Sequence, residues 1–280
     1  MPTQPFGGSR NASEHLADPP IGIAQDDLKR SLVEVWDGDA AGYDVSPGHG
    51  LQDARAENVW RAAIADVLGD ACQGGAPQLR VLDVGTGTGV VAQLAARLGH
   101  AVTAIDLSPN MLARGISRAR EQGLRVDFGI GDAEAPAFAE GSFDVVISRH
   151  VLWTLPHPEA AATRWAALVM PGGLVAVFDV YHPRLVLPRR ALGVLAERLD
   201  VSGRRQSGGH HYTQQMRAGL PLAVQRDASA GERVLRSAGL QDVRVRRLRQ
   251  IDAAERAILR PLQRLGRPYL HYLATGRRAV

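Results

Sequence analysis

Residues 81–89 read Val-Leu-Asp-Val-Gly-Thr-Gly-Thr-Gly, and this stretch decides the fold. Val81, Leu82 and Val84 form the end of a buried strand. Gly85, Gly87 and Gly89 then alternate with threonines and offer no packed surface. Glycine allows a tight turn and lets a ligand lie close to the backbone. A helix opening near Thr88 would aim its first N–H groups at the same place. Strand, glycine turn and helix in that order make one unit of a parallel α/β sheet.

The sequence around this unit repeats its logic. Strands are expected at 79–84, 101–106, 125–130, 143–148 and 173–179, and helices at 89–98, 109–121 and 158–169. Ser108 offers an N-cap, and Pro109 suits the first helical turn. Upstream, 26–36 and 51–68 have helical patterning, with Gly69 as a stop and a linker at 74–77. Downstream come a helix at 230–238, a strand at 241–249, a helix at 252–265 and a last strand at 269–275, with one helical piece near 188–199. The expected architecture is a Rossmann-like, doubly wound α/β sheet of seven strands. Residues 1–25 form a flexible leader, 26–73 an N-terminal helical cover, and 74–280 the core. Residues 181–228 are too long for an ordinary connection and read as a lid-like insertion before the last helix and strands.

The chain has 280 residues, 45% of them hydrophobic, which suits one sizeable domain with length to spare. Cys72 is the only cysteine, so no intrachain disulfide can form and a reducing, cytoplasmic setting is expected. The polar first 25 residues lack the charged-then-apolar order of a signal peptide, and no run is long enough to span a bilayer. Net charge is +4 and the pI is near 9.7, carried almost wholly by arginine, since Lys29 is the only lysine. The arginines are spread from Arg10 to Arg278, which argues against a nucleic-acid groove.

Dinucleotide-binding turns follow the pattern G-x-G-x-x-G, but position 90 here is valine. Asp83, two residues before the first glycine, would repel a pyrophosphate and could hold an ammonium group. Asp106, at the end of the second strand, can accept both hydroxyls of a ribose. The Asp132 side chain and the following N–H of Ala133 could read the edge of an adenine. These positions read amino acid, ribose and adenine along the edge of one sheet.

With these residues in place, the chain resembles the class I S-adenosylmethionine-dependent methyltransferases. The matching segments are VLDVGTGTG (81–89), AIDLSPNML (104–112), GDAEAPAFAEGSFDVVISRHVLWTLPHP (131–158) and LVMPGGLVAVFD (168–179). They keep the family's order and spacing. The segment WDGDAAGYD (36–44) resembles the N-terminal part of the ubiquinone/menaquinone group, which implies that Tyr43 lies over the cofactor and brings Trp36 to the pocket. The resemblance implies a seven-stranded sheet with its last strand antiparallel. It implies S-adenosylmethionine as cofactor, bound by Trp36, Tyr43, Asp83, Gly85, Gly87, Asp106, Leu107, Met111, Asp132, Ala133 and Arg149.

Methyl transfer needs an acceptor atom held in line with the methyl, with water excluded. A base is needed when the acceptor must first lose a proton. His150, after the fourth strand, is the first candidate, followed by Tyr181 and His182 after the fifth. No metal is expected: Ser148-Arg149-His150 stands where metal-dependent catechol enzymes place a carboxylate, and the His210-His211 pair lacks a spaced third ligand. The [DN]-P-P-[YF] motif of nucleic-acid amino-methylating enzymes is also missing after that strand. The expected activity is methylation of nitrogen or oxygen in a small metabolite of natural-product type. Methylation of carbon on a quinone-like aromatic is the close rival, and a non-catalytic cofactor-binding protein is the rival from another class. A small-molecule acceptor is the expected partner, with no nucleic acid and no membrane. Self-association as a homodimer stays open.

Overall fold

The computed structural model describes residues 25–44, 49–50, 53–72, 78–183, 212–259 and 269–280. The leader through residue 24, the linker at 74–77, the helical piece at 188–199 and most of the insertion lie outside the described residues.

Among the described residues, seven strands form one sheet in the order β3-β2-β1-β4-β5-β7-β6. They are β1 (Arg80–Val84), β2 (Ala101–Asp106), β3 (Asp127–Ile130), β4 (Phe143–Arg149), β5 (Val169–Tyr181), β6 (Gln241–Arg247) and β7 (Leu270–Arg277). Strands β1 to β5 pair in parallel, and β7 runs antiparallel between β5 and β6. The chain moves outward from β1 to β3, then returns to place β4 on the other flank of β1. At such a reversal the crossover connections diverge and leave a crevice at the carboxyl ends of the strands.

Two helical layers cover the sheet. One carries α2 (Ala54–Ala71), α3 (Val90–Arg97) and α8 (Arg249–Ala257), with Trp60, Ile64, Leu94 and Ile251 packed on the strands. The other carries α5 (Pro158–Leu168) and α7 (Ser229–Ser237), which bury Trp165, Val234 and Leu235. Helix α4 (Pro109–Glu121) runs along β2 and β3, capped by the Ser108 hydroxyl, which accepts the Met111 N–H at 3.1 Å. Helix α1 (Gln25–Tyr43) packs on α4, and the short α6 (Gln214–Ala218) joins it in a small cluster of Leu28, Leu32, Tyr212, Met216 and Leu220.

Several boundaries differ from the sequence reading, each for a local reason. Helix α1 continues through Gly38 to Tyr43, so most of the WDGDAAGYD segment is helical. Helix α2 begins after Asp53, whose carboxylate accepts the N–H groups of Arg55 and Ala56, and it passes Gly69 without stopping. Glycine in a helix interior costs only about 1 kcal/mol relative to alanine, so packing overrides it. Strand β5 starts at Val169, where α5 ends, rather than at residue 173. Strand β6 ends at Arg247, and Arg249 already opens α8.

Two buried polar side chains set measurable stability terms. Trp165 is fully buried, and its indole N–H donates to the Ala133 carbonyl at 2.7 Å. Trp165→Ala should cost about 3–5 kcal/mol in urea denaturation, from lost burial and a new cavity. Asp179, near the end of β5, is buried, and burial raises its pKa to about 7 despite the hydrogen bond that the Val180 N–H donates to its Oδ1 at 2.7 Å. An unfolded aspartate titrates near ~3.9. The folded state therefore binds the proton more tightly, and this contribution is lost as pH rises from about 4 through 7. Asp179→Asn should gain thermal stability relative to the wild type between pH 4 and pH 8. A difference that stays flat with pH would contradict the assignment.

Candidate cofactor and acceptor site

The glycine turn sits at the carboxyl end of β1, beside β4. Gly85 has φ +65°, and a Cβ there would stand 2.5 Å from a methyl of Val151. Gly87 has φ +56°, and a Cβ there would meet nothing within 4 Å, so its backbone is bare toward the crevice. The turn is fastened to β2: the Thr86 N–H donates to the Ile105 carbonyl at 2.9 Å, and the Gly87 N–H to Asp106 Oδ2 at 2.7 Å. Asp106 Oδ1 accepts the Ser108 N–H at 2.8 Å. Burial raises the Asp106 pKa, and these backbone bonds oppose the rise.

A cavity opens over this turn. Trp36, Tyr43, Gly85, Gly87, Asp106, Leu107, Met111, Asp132, Ala133 and Arg149 all line it, as does the candidate base His150. Asp83 does not. It is buried behind the turn, where Oδ2 accepts from the Thr86 hydroxyl at 2.5 Å and the Ala92 N–H at 3.0 Å. Burial raises its pKa to about 7, opposed by those two bonds. Its other oxygen, Oδ1, has no hydrogen-bond partner among the described residues, so contact with an ammonium group would have to come through that atom.

Helix α1 roofs the cavity. The Lys29 ammonium lies 2.6 Å from both Asp132 and Glu134. Burial works against its charge, but hydrogen bonds to the two carboxylates outweigh this and raise its pKa. Asp37 accepts from the Ser108 hydroxyl and from the Asn110 N–H. Asp44, just past the helix, accepts from the Thr88 hydroxyl at 2.7 Å and pairs with Arg118 at 2.8 Å. Lys29 and Glu134 escaped the sequence reading; that Lys29 is the only lysine was the one available signal.

A second cavity adjoins the first and shares Trp36, Tyr43 and His150 with it. Trp153, His182, Tyr212, Arg217 and Tyr269 are among its other walls. Burial, with help from Arg226, lowers the His182 pKa. His150 has φ +59°, unusual for a residue with a side chain, and its N–H donates to the Phe178 carbonyl at 2.8 Å. Tyr181, by contrast, borders neither cavity. Successive strand residues point to opposite faces, so Val180 faces the second cavity while Tyr181 packs near Tyr272 in the other layer. His210 and His211 lie outside the described residues.

Among the described residues no helix is long and apolar enough to cross a membrane. Nor does any group of three His, Cys, Asp or Glu there make a metal-binding cluster.

Comparison with known proteins bears on this geometry. A family profile described as a methyltransferase domain matches residues 82–177. An uncharacterized protein of Mycobacterium tuberculosis is 38% identical over 109 residues, which are 39% of this chain and 40% of that protein. The matched region thus spans about 40% of the length of that relative. The ubiquinone biosynthesis O-methyltransferase of Xanthomonas campestris pv. campestris is 34% identical over 178 residues, covering 63% of this chain and 67% of that enzyme. Among solved structures, the 4+2 cyclase SpnF shares the fold, with a TM-score of 0.57 at 20% identity over 92% of this chain and 99% of that one. The glycine turn, the carboxylate ending β2 and the extent of the O-methyltransferase match together show that the chain belongs to the class I S-adenosylmethionine-dependent methyltransferases.

Proposed function

We propose that this chain moves a methyl group from S-adenosylmethionine to a nitrogen or oxygen of a small metabolite of natural-product type. The observation that carries the reading is the shared wall: Trp36, Tyr43 and His150 line both the cavity over the glycine turn and the chamber beside it. The residues of the first cavity fit the cofactor. Asp106 presents a half-buried carboxylate for ribose hydroxyls, Asp132 and the Ala133 N–H stand at the far end for an adenine edge, and Asp83 Oδ1 is a buried acceptor behind the turn. When bound, S-adenosylmethionine supplies a methyl group on a positively charged sulfur.

The chain's own residues would do the rest. Tyr43 and Trp36 close the junction against water as walls shared by both cavities, and burial raises the Tyr43 pKa, with Arg149 opposing. The aromatic walls of the second cavity hold a small acceptor next to that junction. His150 takes the proton of an acceptor O–H or N–H on its imidazole, as a base suited to neutral pH. His182, on the far wall, is a second imidazole that burial keeps neutral near pH 7. The described end of the insertion walls the chamber through Tyr212, Leu222 and Ala223 and packs on α1 through Tyr212 and Met216. The single cysteine, Cys72, supports a reducing, cytoplasmic setting.

Transfer to carbon is the close rival, and the same two cavities would serve it. A reading from another class keeps the cofactor site without methyl transfer. The likeness to SpnF, described as a cyclase, is the observation in its favour, since one fold hosts many chemistries.

Calorimetry should find S-adenosylhomocysteine binding weakened roughly tenfold or more in Asp106→Ala, from the loss of charged hydrogen bonds. Unchanged affinity would remove Asp106 from the cofactor site. On an acceptor found by screening for S-adenosylhomocysteine release, His150→Ala should slow turnover about a hundredfold while changing cofactor affinity little. A wild-type rate would dismiss His150 as the base. Tight cofactor binding with no release on any acceptor would favour the non-methylating reading.

A further inference from the structure

His150 does not stand alone at the end of β4. On the α2 and α8 side of the sheet, the buried ring of His271 from β7 lies 5.4 Å from it, centroid to centroid, tilted by 32°. The indole of Trp60 from α2 meets both imidazoles edge-on, at 6.1 Å and 5.7 Å. His271 is held from behind by α8. Its Nδ1 is 3.0 Å from Asp252 Oδ1, and its backbone N–H donates to that same oxygen at 2.8 Å. A carboxylate only accepts, so Nδ1 carries the proton. Nε2 then faces Glu255 Oε1 at 3.6 Å, and that carboxylate also accepts the Trp60 indole N–H at 3.3 Å. Burial works against the charge on Asp252, but hydrogen bonds from His271 and Arg247 outweigh it and lower its pKa.

A buried and a half-buried carboxylate, an imidazole and an indole form a costly arrangement beside an interior strand, where an apolar cluster would fill the space as well. Its ring face is directed at the residue that lines both cavities. We propose that His271, fixed by Asp252 and flanked by the Glu255 carboxylate, is a positioning residue for His150: it sets the orientation of the His150 ring at the junction of the two cavities and relays the negative field that tunes its proton affinity. The proposal rests on His150 acting as the base. The groups around His150 that bear on its charge are Arg149, Tyr43 and His49 on the cavity side, His182 from the end of β5, and His271 with its two carboxylates behind. Of these, the α8 carboxylates are the acids whose effect reaches His150 through a single ring.

The test needs no acceptor. The full chain, labelled with carbon-13 at histidine, is titrated by NMR, with the His150 signal assigned by its loss in His150→Gln. Asp252→Asn keeps the side-chain shape and removes the charge, so the His150 midpoint should fall by about half a pH unit, the size expected for a unit charge acting across one intervening ring. His271→Phe keeps an aromatic face while breaking the couple, and should also move the midpoint. Asp66→Asn, an exposed position on α2, is the control and should not. Thermal stabilisation by S-adenosylhomocysteine, measured on each protein, reports folding and the cofactor site independently. A moved midpoint with stabilisation retained supports the proposal. An unmoved His150 midpoint in whichever of Asp252→Asn and His271→Phe still folds overturns it. Loss of stabilisation in the wild type would instead count against the cofactor reading and leave the titration result to stand by itself.

Discussion

One hydrogen bond organises the crevice: the Gly87 N–H to Asp106 Oδ2, at 2.7 Å. It ties a turn that has no side chains of its own to the end of the neighbouring strand. The register makes this contact available, because Val84 pairs with Ile105 and leaves Asp106 one step beyond, level with the turn. A carboxylate has about four acceptor positions, so two backbone bonds leave room for a hydroxyl-bearing ligand. The same group thus shapes the cradle and offers itself to what the cradle holds. Burial raises its pKa, and the backbone donors work to keep it charged.

The roof is fastened differently from the floor. The sheet is welded by two continuous apolar layers, whereas α1 is held by a cluster of Leu28, Leu32, Tyr212, Met216 and Leu220 and by polar ties through Lys29, Asp37 and Asp44. Partly exposed ion pairs contribute little each, about 1 kcal/mol or less. Lys29 bridges Asp132, the carboxylate expected to face the adenine, and Glu134, so two ion pairs tie the roof to that end of the crevice.

Over the glycine turn, bare backbone and the carboxylates of Asp106 and Asp132 sit among largely apolar walls that include Leu32, Met111 and Leu155. Beside it, tryptophan, tyrosine and histidine rings line the second cavity together with Arg217. His150 belongs to both, and its positive φ is a strained backbone position where the two cavities meet.

The alternation of strands and helices, the glycine turn and the carboxylates at strand ends were legible because local patterns encode them. Period-two and period-3.6 burial mark the elements, and Asp106 and Asp132 stand where each strand must end. Sequence also chose S-adenosylmethionine over a dinucleotide through Val90 and Asp83, although Asp83 proved to sit behind the cradle rather than in it. What tertiary structure alone decided are contacts between residues far apart in the chain. Lys29 reaches Asp132 from 103 positions away, and Trp60 reaches Glu255 from 195. The facing of Tyr181 away from the chamber turned on one step of strand register, and the meeting of His150 with His271 on β7 being inserted antiparallel beside β5. A linear pattern fixes which residues end a strand; only packing fixes which of those ends meet.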